Sequence, residues 1–172
     1  MRLIPHESTN HPNVKIESKI IVKDSTLKLK YIIVGDILSL KIPKYGDAKF
    51  THGLWNATCF ELFLVKKEQN GYVEFNFSPS KEWAIYEFSD YRQKTGDIEN
   101  ITPFIEFFHD EYSAEMIISF DISTLTMIDF EHLSGAFSVV LLTNENELSY
   151  WARKHLKDKA DFHDLDSFSL FS

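Results

Sequence analysis

Glu61 and Glu74 are the two carboxylates of this sequence best placed to act together. They lie in neighbouring alternating stretches, CFELFLVK (59–66) and YVEFNFS (72–78). Two carboxyl groups held at a fixed separation, one with a raised pKa, can shuttle a proton at a glycosidic bond. Kept as hydrogen-bond acceptors, the same pair can hold the hydroxyls of a bound polyol. Asn76 adds an amide beside them. Close carboxylates repel unless a cation or a shared proton intervenes, and Arg92 and Arg153 are the available cations. Trp55 and Trp151 have two readings, as core aromatics or as flat platforms for the C–H face of a sugar ring.

Other chemistries lack their motifs. The sequence has no GxSxG elbow, P-loop, HExxH, CxxC or GxGxxG. Cys59 is the only cysteine, so no internal disulfide forms, and a nucleophilic role would need a histidine beside it in space. His6, His11, His52, His109, His132, His155 and His163 show no metal-ligand spacing. The run Asp161-Phe162-His163-Asp164 could hold an ion or cap a loop. No metal, no cofactor and no catalytic residue are assigned. The expectation is a binding protein rather than an enzyme, with an interaction domain without a small-molecule ligand, and glycoside hydrolysis by Glu61 and Glu74, among the alternatives.

For the two glutamates to meet, the chain must reverse between them. The run 68–71 ends in Asn70-Gly71, which tolerates the positive φ of a tight turn. That register sets Glu61 against Asn76 and Phe63 against Glu74. Ser78-Pro79-Ser80 then turns into a third strand, 83–88. Alternation sends Phe60, Leu62, Leu64, Val73, Phe75 and Phe77 to the core. It leaves Glu61, Phe63, Val65, Tyr72, Glu74, Asn76 and Ser78 on the opposite face. Such a face is either a binding platform or simply a solvated sheet surface.

Around this meander the sequence continues in short segments. Residues 1–13 read as an irregular lead-in. Stretches 14–22, 27–34 and 37–42 read as a second three-stranded meander. Residues 89–103 are loop-like, and 104–109 with 114–121 form a hairpin. Residues 122–133 give a short helical turn or an irregular crossing. The apolar run 137–144 suits a strand buried on both faces. A strand over 148–153 and a charged tail ending in 168–171 complete the chain. About ten short strands at such spacing predict an all-β protein: a single antiparallel β-sandwich, jelly-roll-like, with few helical turns. One domain spans residues 1–172.

Aromatics make up 15% of the residues, which favours strands. The net charge is −8 with no basic cluster, which argues against nucleic acid and anionic membranes as partners. No apolar run approaches the roughly 20 residues of a spanning helix. Residues 1–6 lack a signal-like apolar stretch, and with a lone cysteine this predicts a cytoplasmic setting.

Four stretches together resemble DOMON-like domain proteins, relatives of the family 9 carbohydrate-binding modules. They are Leu54-Trp55, the segment 59–64, the segment 72–80 and Trp83-Ala84-Ile85-Tyr86. Gly35-Asp36, Tyr91-Arg92, Tyr150-Trp151-Ala152 and Asp161-Phe162-His163 are similar to the stand-alone bacterial branch of that group. The resemblance implies a jelly-roll sandwich and a small-molecule or glycan ligand. It implies a sugar clamped between tryptophans, for which Trp55 and Trp151 are the candidates. Glu61, Glu74, Asn76, Arg92 and Arg153 would be the polar partners. Sugar-binding relatives are acidic before the first strand of the meander, where this chain has Asn56-Ala57-Thr58, so calcium is not implied here. Haem-binding relatives use methionine and histidine ligands, and only Met116 and Met127 are internal methionines.

Overall fold

Alternation along the chain decides its secondary structure. In Val14–Lys23 buried and exposed residues alternate almost without a break, because β-branched residues face the core and lysines and glutamates face water. A computed structural model describes residues 1–66 and 71–168. Among them are eleven strands: β1 (Arg2–Pro5), β2 (Val14–Lys23), β3 (Thr26–Gly35), β4 (Cys59–Val65), β5 (Tyr72–Phe77), β6 (Trp83–Asp90), β7 (Gln93–Asp97), β8 (Phe104–His109), β9 (Ser113–Asp121), β10 (Gly135–Leu142) and β11 (Leu148–Ala152). The helical content is three short 3-10 turns, Ile37–Ser39, Leu54–Asn56 and Leu165–Ser167.

The strands follow the order β7-β6-β5-β4-β10-β11-β1-β2-β3-β9-β8, with antiparallel neighbours throughout. Strand β1 belongs to two layers. Arg2 and Leu3 pair with β2, whereas Ile4 and Pro5 pair with β11. The hydrogen-bonded array therefore folds at β1 into a sandwich, with β8-β9-β3-β2 facing β7-β6-β5-β4-β10-β11. Phe60, Leu62, Leu64, Val73, Phe75 and Phe77 all lie in the core between the layers. Tyr31 of β3 bridges it, edge-on to Phe60 and Phe137 at 5.1 and 5.3 Å. Its hydroxyl donates to the Glu61 carbonyl at 2.6 Å.

Several sequence expectations need correction. The lead-in is not wholly irregular: Arg2–Pro5 is β1. Four residues carry too little alternation to be read, and only long-range pairing reveals the strand. Segment 37–42 is not a strand. It opens with the 3-10 turn Ile37–Ser39, and Leu40 makes one isolated bridge to Thr143. Strand β3 has no free edge for it, because β2 and β9 occupy both sides. The loop expected over 89–103 contains β7, a polar edge strand on β6 whose register shifts twice. Segment 122–133 is an irregular crossing. The expected turn residues 68–70 and the tail residues 169–171 lie outside the described residues.

Gly135 opens β10 where it crosses β4. A Cβ there would collide with the Phe63 carbonyl oxygen. The obstacle is backbone of a central strand and cannot swing away. Gly135→Ala is expected to lower stability by about 2–3 kcal/mol, as overpacking of a close approach does. Urea denaturation measures it, and an unchanged midpoint would refute the reading.

A cavity on the outer face of the second layer

The register that builds the core also builds the opposite face. Glu61 pairs with Asn76 on β5 and with Ser138 on β10. Glu74 pairs with Phe63 on β4 and with Tyr86 on β6. Two parallel rows result, Ala84-Asn76-Glu61-Ser138 and Tyr86-Glu74-Phe63-Ala136. The two glutamates are diagonal neighbours in these rows, at the distance where long side chains on adjacent strands still interact.

This face is not open to bulk water. The chain after β11 lies against it, with Phe162, Leu165 and Phe168 packed on Phe63, Tyr72 and neighbouring aromatics. Asp161 ties the segment down. Its carboxylate accepts from Tyr91 Oη at 2.7 Å, Arg92 Nη2 at 3.0 Å, Lys157 Nζ at 2.6 Å and the His163 amide at 3.1 Å. Those donors hold Asp161 well below the usual carboxylate range, although partial burial opposes them. Between segment and sheet remains a cavity of 360 Å³. Trp55, Phe63, Tyr86, Phe88, Tyr150 and Phe162 give it aromatic walls. Glu61, Glu74 and His163 give it a polar interior, and His52, Arg92 and Lys94 also line it.

Both glutamates are almost wholly buried, Glu61 at 3% exposure and Glu74 at 5%. Glu61 Oε2 accepts from Ser138 Oγ at 2.7 Å. Glu74 Oε1 accepts from Asn76 Nδ2 at 2.7 Å, and Asn76 Oδ1 receives the Cys59 thiol at 3.6 Å. Burial raises the Glu61 pKa to about 8, with the charge of Glu74 adding to it and the Ser138 bond opposing it. Burial likewise raises Glu74 to about 7, against the Asn76 bond and the fields of Arg92 and Lys94. The two are one dyad holding protons near neutral pH.

His163 stands beside the dyad as a neutral ring. Burial pushes its pKa down to about 4, and Arg92 adds to that. The Arg92 amide donates to Tyr72 Oη at 3.1 Å, so the Tyr72 hydroxyl is left to donate to His163 Nδ1 at 2.7 Å. The ring proton then sits on Nε2, 3.7 Å from Glu74 Oε2.

The sequence-derived residues divide clearly. Glu61, Glu74, Trp55 and Arg92 reach the cavity. Asn76 is fully buried and braces Glu74 from below. Trp151 does not reach it. On β11 it alternates with Tyr150, and it is Tyr150 that faces the cavity while Trp151 enters the core at 2% exposure. Arg153 lies at a separate narrow cleft with Met1, Phe137 and Ser167. The arginine expected to neutralise a glutamate does not: Arg92 is paired with Asp161. Among the described residues, the nitrogen that comes nearest to Glu74 Oε2 is Nε2 of the neutral His163 ring, at 3.7 Å. Cys59 is buried beneath the sheet face with no histidine at its sulfur, so a nucleophilic role is not supported.

His52, Phe88 and Lys94 were missed, and Tyr86, Tyr150, Phe162 and His163 were marked by the resemblance without being named as ligand contacts. Tyr86 and Phe88 were within reach of the sequence, since extending the alternation across Ser78-Pro79-Ser80 puts them beside Glu74 and Tyr72. The run 161–164 stands out as a possible ion site or loop cap, but nothing local places Phe162 or His163 beside the glutamates, to which they return from far along the chain.

The chain matches no protein-family model and no curated protein. Solved structures share its architecture. The fold resembles that of a family 9 carbohydrate-binding module. Such a module from Caldicellulosiruptor kristjanssonii, solved in complex with glucose, superposes with a TM-score of 0.52 at 13% identity, covering 93% of this chain and 76% of the other. A candidate carbohydrate-binding protein from Bacteroides uniformis ATCC 8492 superposes with a TM-score of 0.61 at 13% identity, covering 96% and 83%. At this identity the likeness is one of fold. Among the described residues, no helix is long and apolar enough to cross a membrane.

Proposed function

We propose that the outer-face cavity binds a carbohydrate or a similar polyhydroxylated small molecule without transforming it. One observation carries this reading: a concave space with aromatic walls into which two buried carboxyls and a neutral imidazole converge. Aromatic rings favour the apolar faces of a sugar, and the polar groups match its hydroxyls. A protonated carboxyl donates as well as accepts, so the dyad suits hydroxyls that do both. The glucose complex of a module with the same fold supports the reading. Within that group, the residues quoted from 54 to 86 favour the DOMON-like branch. Haem is not part of the proposal, since Met116 is buried between the layers and Met127 packs on the same core.

Calorimetry against a panel of mono- and disaccharides tests it. Trp55 is 42% exposed at the lip of the cavity, edge-on to Tyr86 at 5.9 Å. Trp55→Ala is expected to weaken binding about tenfold, the scale of one lost aromatic contact. A panel without a Trp55-dependent ligand would reject the proposal. The raised carboxyls favour one alternative, glycoside hydrolysis, because an acid catalyst must hold its proton at neutral pH. Turnover of aryl glycosides that vanishes in Glu61→Gln would establish that alternative.

A further inference from the structure

The dyad has a free acceptor on each side. Glu61 Oε1 has no hydrogen-bond partner among the described residues, although its other oxygen is held by Ser138. Glu74 Oε2 has only His163 Nε2, at 3.7 Å, beyond hydrogen-bond length. Both side chains are more than nine-tenths buried, and both line the cavity. Two ionised carboxylates so placed require a positive charge between them.

Among the described residues, the cations that line the cavity are paired elsewhere. Arg92 is committed to Asp161 at 3.0 Å. Lys94 is committed to Asp97 at 2.5 Å and lies over the Tyr86 ring. His52 faces Asp97 at 3.8 Å and bonds the Tyr86 hydroxyl. His163 is neutral, and the remaining titratable neighbours, Cys59, Tyr72 and Tyr86, all have raised pKa values that keep them protonated. The rim cations are thus paired elsewhere: the fields of Arg92 and Lys94 reach Glu74, but their ion pairs go to Asp161 and Asp97, and the dyad offsets its own charge by holding protons. The described residues contain no group of three or more acidic, histidine or cysteine side chains able to hold a metal ion. A hard cation such as calcium takes roughly six to eight oxygen ligands, and the dyad offers it two free carboxyl oxygens. An ammonium group asks less, three acceptors and a π face.

We propose that the cavity is selective for an amino sugar, whose ammonium group sits between Glu61 and Glu74 while its ring rests against the aromatic wall. This rests on the carbohydrate reading above and narrows it. Each free carboxylate oxygen accepts one ammonium hydrogen, and the aromatic side chains that line the cavity pack against the sugar ring. Binding ionises the dyad, and the protons it holds in the empty protein leave to solvent.

Calorimetry at pH 7 with glucosamine, glucose and N-acetylglucosamine is the test, run in buffers of different ionisation enthalpy. Glucosamine is expected to bind about tenfold or more tighter than the two uncharged sugars, with net release of protons. Glu61→Gln and Glu74→Gln are expected to abolish that preference and the proton release. Both replacements are neutral and nearly isosteric, and a thermal melt of each shows that it is folded. Glucose binding as tightly as glucosamine would overturn the amine inference and leave the carbohydrate reading standing. No binding of any of the three sugars would overturn both. Stabilisation by calcium alone, with none by glucosamine, would also overturn the inference.

Discussion

Raising the pH from 6 to 8.5 is expected to lower the unfolding free energy by about 3 kcal/mol, with most of that loss absent from the Glu61→Gln/Glu74→Gln double variant. The sign follows from the direction of the shifts. Both carboxyls have folded pKa values above the ordinary 4.5, near 8 and 7. The native state therefore holds protons that the unfolded chain has released. The resulting stabilisation is complete below the unfolded pKa and is lost as pH rises through 7 and 8. His163 acts at the other end. Its folded pKa, about 4, lies below the usual 6.5, so stability is lost as pH falls through that interval. Through that interval the dyad gains more on acidification than His163 loses, so the optimum should lie below pH 6. Cys59, Tyr72 and Tyr86 are raised from values of 9 or more and do not intrude below pH 8.5. Urea unfolding across this range measures the slope. Equal stability of the wild-type protein at pH 6 and pH 8.5 would mean that the dyad is hydrated and unshifted.

Trp151→Ala should cost about 3–5 kcal/mol of stability, whereas Trp55→Ala should cost less than about 1 kcal/mol and act on binding instead. Trp151 is 2% exposed in the core, and its Nε1 donates to Ser149 Oγ at 3.0 Å. His11 meets its ring edge-on at 5.4 Å. Truncation leaves a cavity the size of an indole and removes the partner of a buried hydroxyl. Trp55 is half exposed on the 3-10 turn Leu54–Asn56, so its removal opens no void. Thermal melts and ligand titrations of the two variants separate the roles. A folded Trp151→Ala protein of wild-type stability that had lost its ligand would return Trp151 to the binding site and contradict the core assignment.

The contrast between the tryptophans marks the limit of reading from sequence. Local alternation was enough to send Phe60, Leu62, Leu64, Val73, Phe75 and Phe77 to the core, and Glu61, Glu74 and Asn76 to the other face. Those assignments need only the two-residue period of a strand and the register of one hairpin. The same rule applied to β11 would have separated Tyr150 from Trp151, but it gives no sign of which of the two faces is the core. That depends on which layer lies opposite, and β1 decides it by joining β2 to β11. Four residues cannot announce such a pairing in advance.

Charge compensation was still less legible. Proximity of two acids in sequence suggested an arginine between them, yet Arg92 turned to Asp161, a residue far along the chain. The sequence alone determined an antiparallel β protein with a carboxylate pair on one sheet face. Tertiary structure alone decided that the segment through Asp161, Phe162 and His163 closes over that face. Closure turns a solvated surface into a partly enclosed cavity, and burial there raises both glutamates toward neutral pH.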